Sequence, residues 1–246
     1  MGASYGSFCP VAKAMELLDE RWTLLVIREL FAGSRRFNDL RRGLPRMSPS
    51  LLSRRLQQLT GAGLVTRHEH GAEVEYALTP AGQELEPIVT ALGVWGTRWV
   101  PRLGDRDLDP KLLLWDMHRM VDHSAVPPRR TVLWFHFPAV PRRVRDWWLV
   151  ITPDEADVCD INPGHDVDVN VTADLRCLTD VWRGERSWAS ALRSGDVAFE
   201  GPEDLRRAVP DWFKPFPFAA ISRPGSALCP ESPEPHPSPS PTAAIL

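Results

Sequence analysis

The chain has 246 residues, 43% of them hydrophobic, and a formal net charge of −3 at pH 7. That length makes one large or two modest domains, with ample apolar material for buried cores. Its longest apolar runs are only a few residues, as in Leu24 to Ile27, and no basic-then-apolar leader opens it, so neither a membrane span nor a secretory signal is expected and a cytoplasmic location is.

The charge is unevenly spread. Residues 1–102 carry 13 basic and 10 acidic side chains, whereas residues 103–246 carry 16 and 22. Gly33 to Arg67 holds eight arginines and a single acid, Asp39, the local excess that a polyanion-binding surface requires. The second half has no such surplus and is expected to do something else. Cys9, Cys159, Cys177 and Cys229 lie far apart with no C-x-x-C pair. His118 and His123 are five apart, one step off the alignment that two ligands on one helix need. Neither a disulfide framework, a metal site nor a cofactor is expected.

Ser7 to Asp19 is predicted as a first helix, with Val11, Met15 and Leu18 on one face. Trp22 to Phe31 follows as a strongly apolar helix, with Trp22, Leu25, Val26 and Leu30 at helical spacing, and Arg36 to Arg42 as a short one burying Phe37 and Leu40. After the turn Gly43-Leu44-Pro45, Met47 to Gly61 carries a complete start signal. Ser48 can cap the first turn, and Pro49 suits the first helical position, where its missing N–H is not needed. Leu52, Leu56 and Leu59 share one face, and the opposite face presents Ser50, Arg54 and Gln57 with Ser53 on its flank. Such a helix fits a DNA major groove as well as it fits an ordinary surface, and its neighbours decide.

Beyond Gly63 the period changes. Leu64 to His68 and Val74 to Leu78 are predicted as two strands of a hairpin, which makes the order helix, turn, helix, wing. Ser50, Ser53, Arg54 and Gln57 are then assigned to base edges, with Ser48 and Pro49 at the helix start. Arg35, Arg36, Arg41, Arg42, Arg46 and Arg55 are assigned to phosphates, and Arg67, His68 and His70 to the wing, where Glu69 and Glu73 weaken the field. Thr79-Pro80 starts a long helix to about Trp99, which Pro87 should bend or break near its start. Its Leu85, Ile88, Leu92, Trp95 and Trp99 are spaced 3, 4, 3 and 4, the seam of a helix packing on another helix, either within its own domain or across a dimer.

Residues 9–100 resemble the HxlR family of winged-helix transcriptional regulators. The resemblance rests on Cys9-Pro10-Val11 with Ala14, Arg21-Trp22-Thr23, Arg28-Glu29-Leu30, Arg36-Phe37 with Asp39-Leu40, and Ser48-Pro49. It continues through Leu51-Leu52-Ser53 with Arg55-Leu56, Gly63-Leu64-Val65, Glu75-Tyr76, Leu78-Thr79, Gly82, Leu85 with Pro87, and Trp95-Gly96. It implies a homodimer, joined through the first and last helices (Val11, Met15, Leu85, Ile88, Leu92, Trp95, Trp99), on a pseudo-palindromic operator in double-stranded DNA. Some relatives sense oxidants or electrophiles through the cysteine that Cys9 matches. Cys9 is then either such a thiol or a small buried residue beside Trp22.

The charged stretch Pro101 to Asp109 is a connector, giving domains at 1–103 and 104–222 and a Pro-rich tail at 223–246. Asp109-Pro110 starts a helix through Leu113, Met117 and Met120. Thr131 to Phe137, Asp146 to Thr152, Ala156 to Ile161 and Asp166 to Thr172 are predicted strands, the last with Val167, Val169 and Val171 on one face. Asp174 to Arg183 and Ser187 to Arg193 are predicted helices, Val197 to Glu200 a strand, and Pro202 to Trp212 a closing helix. The architecture is α+β, a mainly antiparallel sheet with helices. The segment Val169 to Phe213, with Asp174-Leu175, Trp182-Arg183-Gly184, Trp188-Ala189, Ser194-Gly195-Asp196-Val197, Glu200-Gly201-Pro202 and Trp212-Phe213, resembles sterol-carrier-protein-like domains. That likeness implies a non-catalytic cavity for an apolar small molecule. Six of the ten tryptophans fall between residues 110 and 190. Trp134, Phe135, Trp148, Trp182 and Trp188 are the candidate lining, and an aromatic-rich core would use them equally well.

No nucleophile elbow, H-E-x-x-H or phosphate-cradling glycine loop is present, so an enzyme is not expected. Seven prolines in the last 23 residues point to a disordered extension, either an interaction tail or a tolerated appendage.

Overall fold

The computed structural model describes residues 4–71, 73–100 and 103–223, so the Pro-rich tail from residue 224 lies outside the described residues. The chain begins with α1 (Pro10–Leu18), with Cys9 at the capping position and Pro10 in the first turn. Trp22, the only described non-glycine residue at positive φ (79°), turns the chain into α2 (Thr23–Phe31). This helix buries Val26 and Ile27 but leaves Leu25 exposed, so the predicted stripe is rotated by about one residue. α3 (Phe37–Gly43) and α4 (Pro49–Gly61) follow, and the Ser48 hydroxyl accepts the Leu51 N–H at 3.3 Å as the cap requires. Gly63, at φ 73°, stops α4 by adopting the left-handed conformation that lets the Leu64 N–H reach back to the Leu59 carbonyl.

The hairpin β1 (Val65–His70) and β2 (Glu73–Leu78) pairs Val65 with Leu78 and His70 with Glu73. The expected long helix is two helices, α5 (Pro80–Gln83) and α6 (Glu86–Trp99). Pro87 cannot donate to the carbonyl four residues back, and the break falls there. Val26, Ile27, Leu40, Leu52, Leu56 and Leu59 form the centre of a first core.

A single-turn helix at Asp105–Asp107 leads into α7 (Pro110–Arg119). The sheet then runs β5 (Ala156–Cys159), β4 (Asp146–Ile151), β3 (Thr131–His136), β6 (Val169–Ala173) and β7 (Val197–Glu200), in that spatial order. Every pairing is antiparallel except β3 with β6, so the sheet is mixed. Strand β6 starts at Val169, after Asp168 has accepted the Val132 N–H at 2.8 Å, and Val167 stays outside it and exposed. Val169, Val171 and Ala173 keep the predicted inward phase. Helices α8 (Leu175–Trp182), α9 (Trp188–Ser194) and α10 (Glu203–Ala208) complete a second core around Leu114, Met117, Leu133, Phe135, Leu149 and Leu178.

The two cores meet through α7. Arg119 reaches the fully buried Glu29 of α2 at 2.6 Å and the Ser34 hydroxyl at 2.7 Å. Arg42 of α3 pairs with Asp157 of β5 at 2.7 Å. Trp115, buried, lies between the two guanidinium groups, 5.2 Å from Arg42 and 4.9 Å from Arg119. Burial pushes the neighbouring His118 down to about 4, with Arg119 adding to the effect, so this imidazole is neutral at physiological pH.

Candidate nucleic-acid interface

Helix α4 separates its two faces cleanly. Leu52, Leu56 and Leu59 are buried in the first core, while Ser48, Pro49, Ser50, Ser53, Arg54 and Gln57 are exposed together. Ser48 and Ser50 share a hydroxyl contact of 3.3 Å, which orders the outward side of the first turn. Among the described residues, Arg35, Arg41 and Arg54 carry no ion pair, so their charge is available to an incoming anion.

Arg55 is different from its assignment. Its side chain is only 6% exposed, donating to Gln58 at 2.5 Å and to Glu20 at 3.1 Å. Three residues after Leu52 and one before Leu56, it points with the leucines rather than with Arg54, and it ties α4 to the turn before α2. It is not a phosphate contact. Four other arginines are at the surface but engaged. Arg36 pairs with Glu73 at 2.8 Å and Glu75 at 3.6 Å, Arg42 with Asp157, Arg67 with Glu69, and Arg46 donates to the Arg106 carbonyl. The exposed ion pairs of Arg36, Arg42 and Arg67 are worth about 0–1 kcal/mol each, so a phosphate can replace the acid at little cost. On the wing, Arg67 and His68 are exposed, and the His70 side chain lies outside the described residues.

The seam is exposed. Helix α6 buries none of its residues, and Ile88, Leu92, Trp95 and Trp99 face outward, Trp95 at 58% exposure. Val11 and Met15 of α1 are exposed as well. Leu85 departs from this set: it precedes α6 and packs half-buried against the first core.

Residues 17–103 match the model of the HxlR-like helix-turn-helix family. An uncharacterized HTH-type transcriptional regulator of Synechocystis sp. is 40% identical over 98 residues, spanning 39% of this chain and 73% of the relative. YvaP of Bacillus subtilis, also an uncharacterized HTH-type transcriptional regulator, is 38% identical over 96 residues, spanning 37% of this chain and 89% of its own. The chain belongs to the HxlR-like helix-turn-helix family. Among solved structures, the redox regulator HypR in its oxidized form is 32% identical, covering 39% of this chain and all of its own, with a TM-score of 0.36.

Within this HxlR-like chain Cys9 is exposed, which removes the alternative of a small buried residue beside Trp22. The backbone N–H groups of Ala12 and Val11, at the start of α1, hold its thiol below the usual range. Burial raises Cys159 and Cys177 instead.

The five aromatic residues expected to line one cavity do not converge. Phe135 faces the second core, whereas Trp134 and its cross-strand partner Trp148 lie on the other face of the sheet, because successive strand residues point to opposite sides. Trp188 packs on Phe199 at 5.9 Å and Trp182 on Phe216 at 5.8 Å. Of the five, Trp182 borders a cleft of about 470 Å³ between the two cores, walled by Phe31, Val89, Met120, Phe216 and Phe218.

The sequence assigns Glu29 no role beyond the resemblance and places Asp157 among the acids of a solvated turn and edge, whereas they pair with Arg119 and Arg42. An acid inside the apolar run of α2 was the available signal for Glu29. For Asp157, 115 residues from its partner Arg42, no local signal exists.

Proposed function

We propose that this chain is a transcriptional regulator that binds operator DNA as a homodimer, with Ser50, Ser53, Arg54 and Gln57 of α4 reaching base edges in the major groove. The observation that carries the reading is the shared exposure of these four side chains on a capped helix anchored by three buried leucines. Arg35 and Arg41, without an ion pair among the described residues, are phosphate contacts, joined by Arg36, Arg42 and Arg67 as their acid partners exchange and by Arg46 as it leaves the Arg106 carbonyl.

The test begins by selecting bound duplexes from a random pool. Arg54→Ala should then cost about 1–3 kcal/mol on the selected site and relax its sequence preference. Arg41→Ala should weaken binding to every duplex alike and reduce the salt slope by about 1. Equal effects of both variants on all sequences would overturn this division of labour.

In the finer part of the proposal, the units divide at 103/104 and the second is a sterol-carrier-protein-like module admitting an apolar small molecule. The cleft at Trp182 supports this, because its wall includes Val89 and Thr90 of α6. An occupant there touches the helix that carries the exposed seam and can favour one dimer geometry over another. Native mass spectrometry of the purified protein should show a dimer with an added apolar mass. A ligand-free dimer would remove this part alone.

A second reading is favoured by one observation, the exposed Cys9 with its lowered thiol. Here the chain senses an oxidant or electrophile through Cys9, and the second unit is structural. Mild hydrogen peroxide should then change DNA affinity of the wild type and leave Cys9→Ser unmoved; identical titrations discard it.

A further inference from the structure

We propose that the second unit takes part in DNA binding itself, through Lys111, whose ammonium group adds a backbone-phosphate contact beside the recognition helix. The inference rests on the DNA-binding reading of α4 and extends that surface beyond the family-matched residues 17–103.

The acidic balance of the second half, 22 acids against 16 bases, argues against any such role for the unit as a whole. The structure places one of its cations where the average does not apply. Lys111 is the second residue of α7, and it lines a concavity of about 790 Å³ together with Arg36, Arg41, Arg42 and Arg46, with Ser48 and Pro49 at the start of α4 on its rim. One acid, Asp39, shares that lining, and it already accepts the Arg36 backbone N–H at 3.3 Å. Among the described residues Lys111 forms no ion pair. Its sequence neighbour Asp109 accepts the Lys111 backbone N–H at 2.9 Å, as the cap of α7.

The position is fixed by the packing described above. Helix α7 is pinned to α2 by Arg119 on Glu29, and to α3 by Trp115 beneath Arg42. Lys111 therefore stands on a braced helix, not on the charged connector. The second unit also subtracts: Asp157 pairs with Arg42, one of the expected phosphate contacts. Across this concavity the unit partly neutralises one cation and supplies another. Such a charge is read by any duplex, since phosphate spacing carries no sequence information.

The experiment uses the full chain and a fluorescein-labelled duplex of about 30 base pairs and arbitrary sequence, titrated by anisotropy at several salt concentrations between about 50 and 200 mM. Each phosphate contact contributes about 0.9 to the slope of log affinity against log salt. Lys111→Ala should lower the slope by about that amount per bound chain and weaken binding several-fold at the lowest salt, while Lys111→Arg keeps both near wild type. Lys214→Ala is the control. Its backbone bonds the Met120 carbonyl at the opposite end of α7, roughly 14 Å along the helix axis from Lys111. An unchanged slope in Lys111→Ala, with the wild type binding normally, overturns the inference even if affinity falls. A wild type that binds no duplex at any salt overturns the DNA reading beneath it.

Discussion

Leu92→Arg should convert the protein to a monomer at micromolar concentration and abolish tight operator binding. Helix α6 has no buried residue, and Leu92, at 49% exposure, sits in the middle of the exposed set Ile88, Leu92, Trp95 and Trp99. Exposed apolar side chains scattered singly are ordinary, but four at seam spacing on one helix, two of them tryptophans, form a stripe suited to a partner surface, and Val11 and Met15 of α1 are exposed as well. In the proposed dimer that molecule is a second copy. A guanidinium forced into such a contact without a partner costs several kcal/mol, and every 1.4 kcal/mol is tenfold, so a loss of about 100-fold or more in dimer affinity follows. One chain presents one recognition helix. Without its partner, the second half-site no longer binds at high effective concentration, and operator affinity falls with the dimer. Because Leu92 is already exposed within the chain, the melting temperature of the isolated protomer should hardly move, which separates lost assembly from lost folding. Sedimentation velocity reads the outcome, and a Leu92→Arg protein that sediments as the wild-type dimer removes α6 from the interface.

The first unit was largely legible because its signals are local. Ser48 and Pro49 fix where α4 begins, the leucines at 52, 56 and 59 fix its inner face, and Pro87 fixes the break before α6. Strands β3, β4 and β7 fall within a residue of their predicted limits because each is a short run of β-branched and aromatic residues. What escaped depends on partners distant in sequence or on the direction of single side chains. Arg54 and Arg55 are neighbours of one type, yet 100° of helical rotation exposes one and buries the other against Glu20. Trp134 and Phe135 were grouped by composition, and the two-residue period of a strand sends them to opposite faces. The parallel pairing of β3 with β6 joins segments some 35 residues apart through a crossover that no local pattern announces. Lys111 belongs to an acidic half by composition, yet the start of α7 brings it into one concavity with Arg41 and Arg42.

Glu29→Ala should be strongly destabilising, at about 3–5 kcal/mol, or a fall of about 10 °C or more in melting temperature. Glu29 has no solvent exposure, yet it carries a carboxylate in an otherwise apolar stretch of α2. That charge is tolerated because the Arg28 and Arg119 guanidinium groups and the Ser34 hydroxyl all donate to it. Truncation takes the carboxylate from the mostly buried Arg119, leaving it only the Ser34 hydroxyl at 2.7 Å and Asp116 at 3.8 Å, and a buried pair broken from one side is costly. Gly43 bounds the same site from α3: a Cβ there would fall 1.9 Å from the Glu29 carboxylate, so Gly43→Ala should disrupt the network from the other side. Arg119→Ala should cost less, about 1–3 kcal/mol, because Arg28 and Ser34 still serve the carboxylate. Its effect should instead fall on the junction, since Arg119 is the link from α7 into the first core. Urea unfolding followed by tryptophan emission should then resolve two steps in Arg119→Ala where the wild type shows one. The same junction contains the neutral His118, whose pKa is lowered to about 4, so its contribution is present above pH 6.5 and is lost as pH falls towards 4. A Glu29→Ala protein within about 1 kcal/mol of wild type would show that the buried carboxylate is a passenger rather than the joint between the two cores.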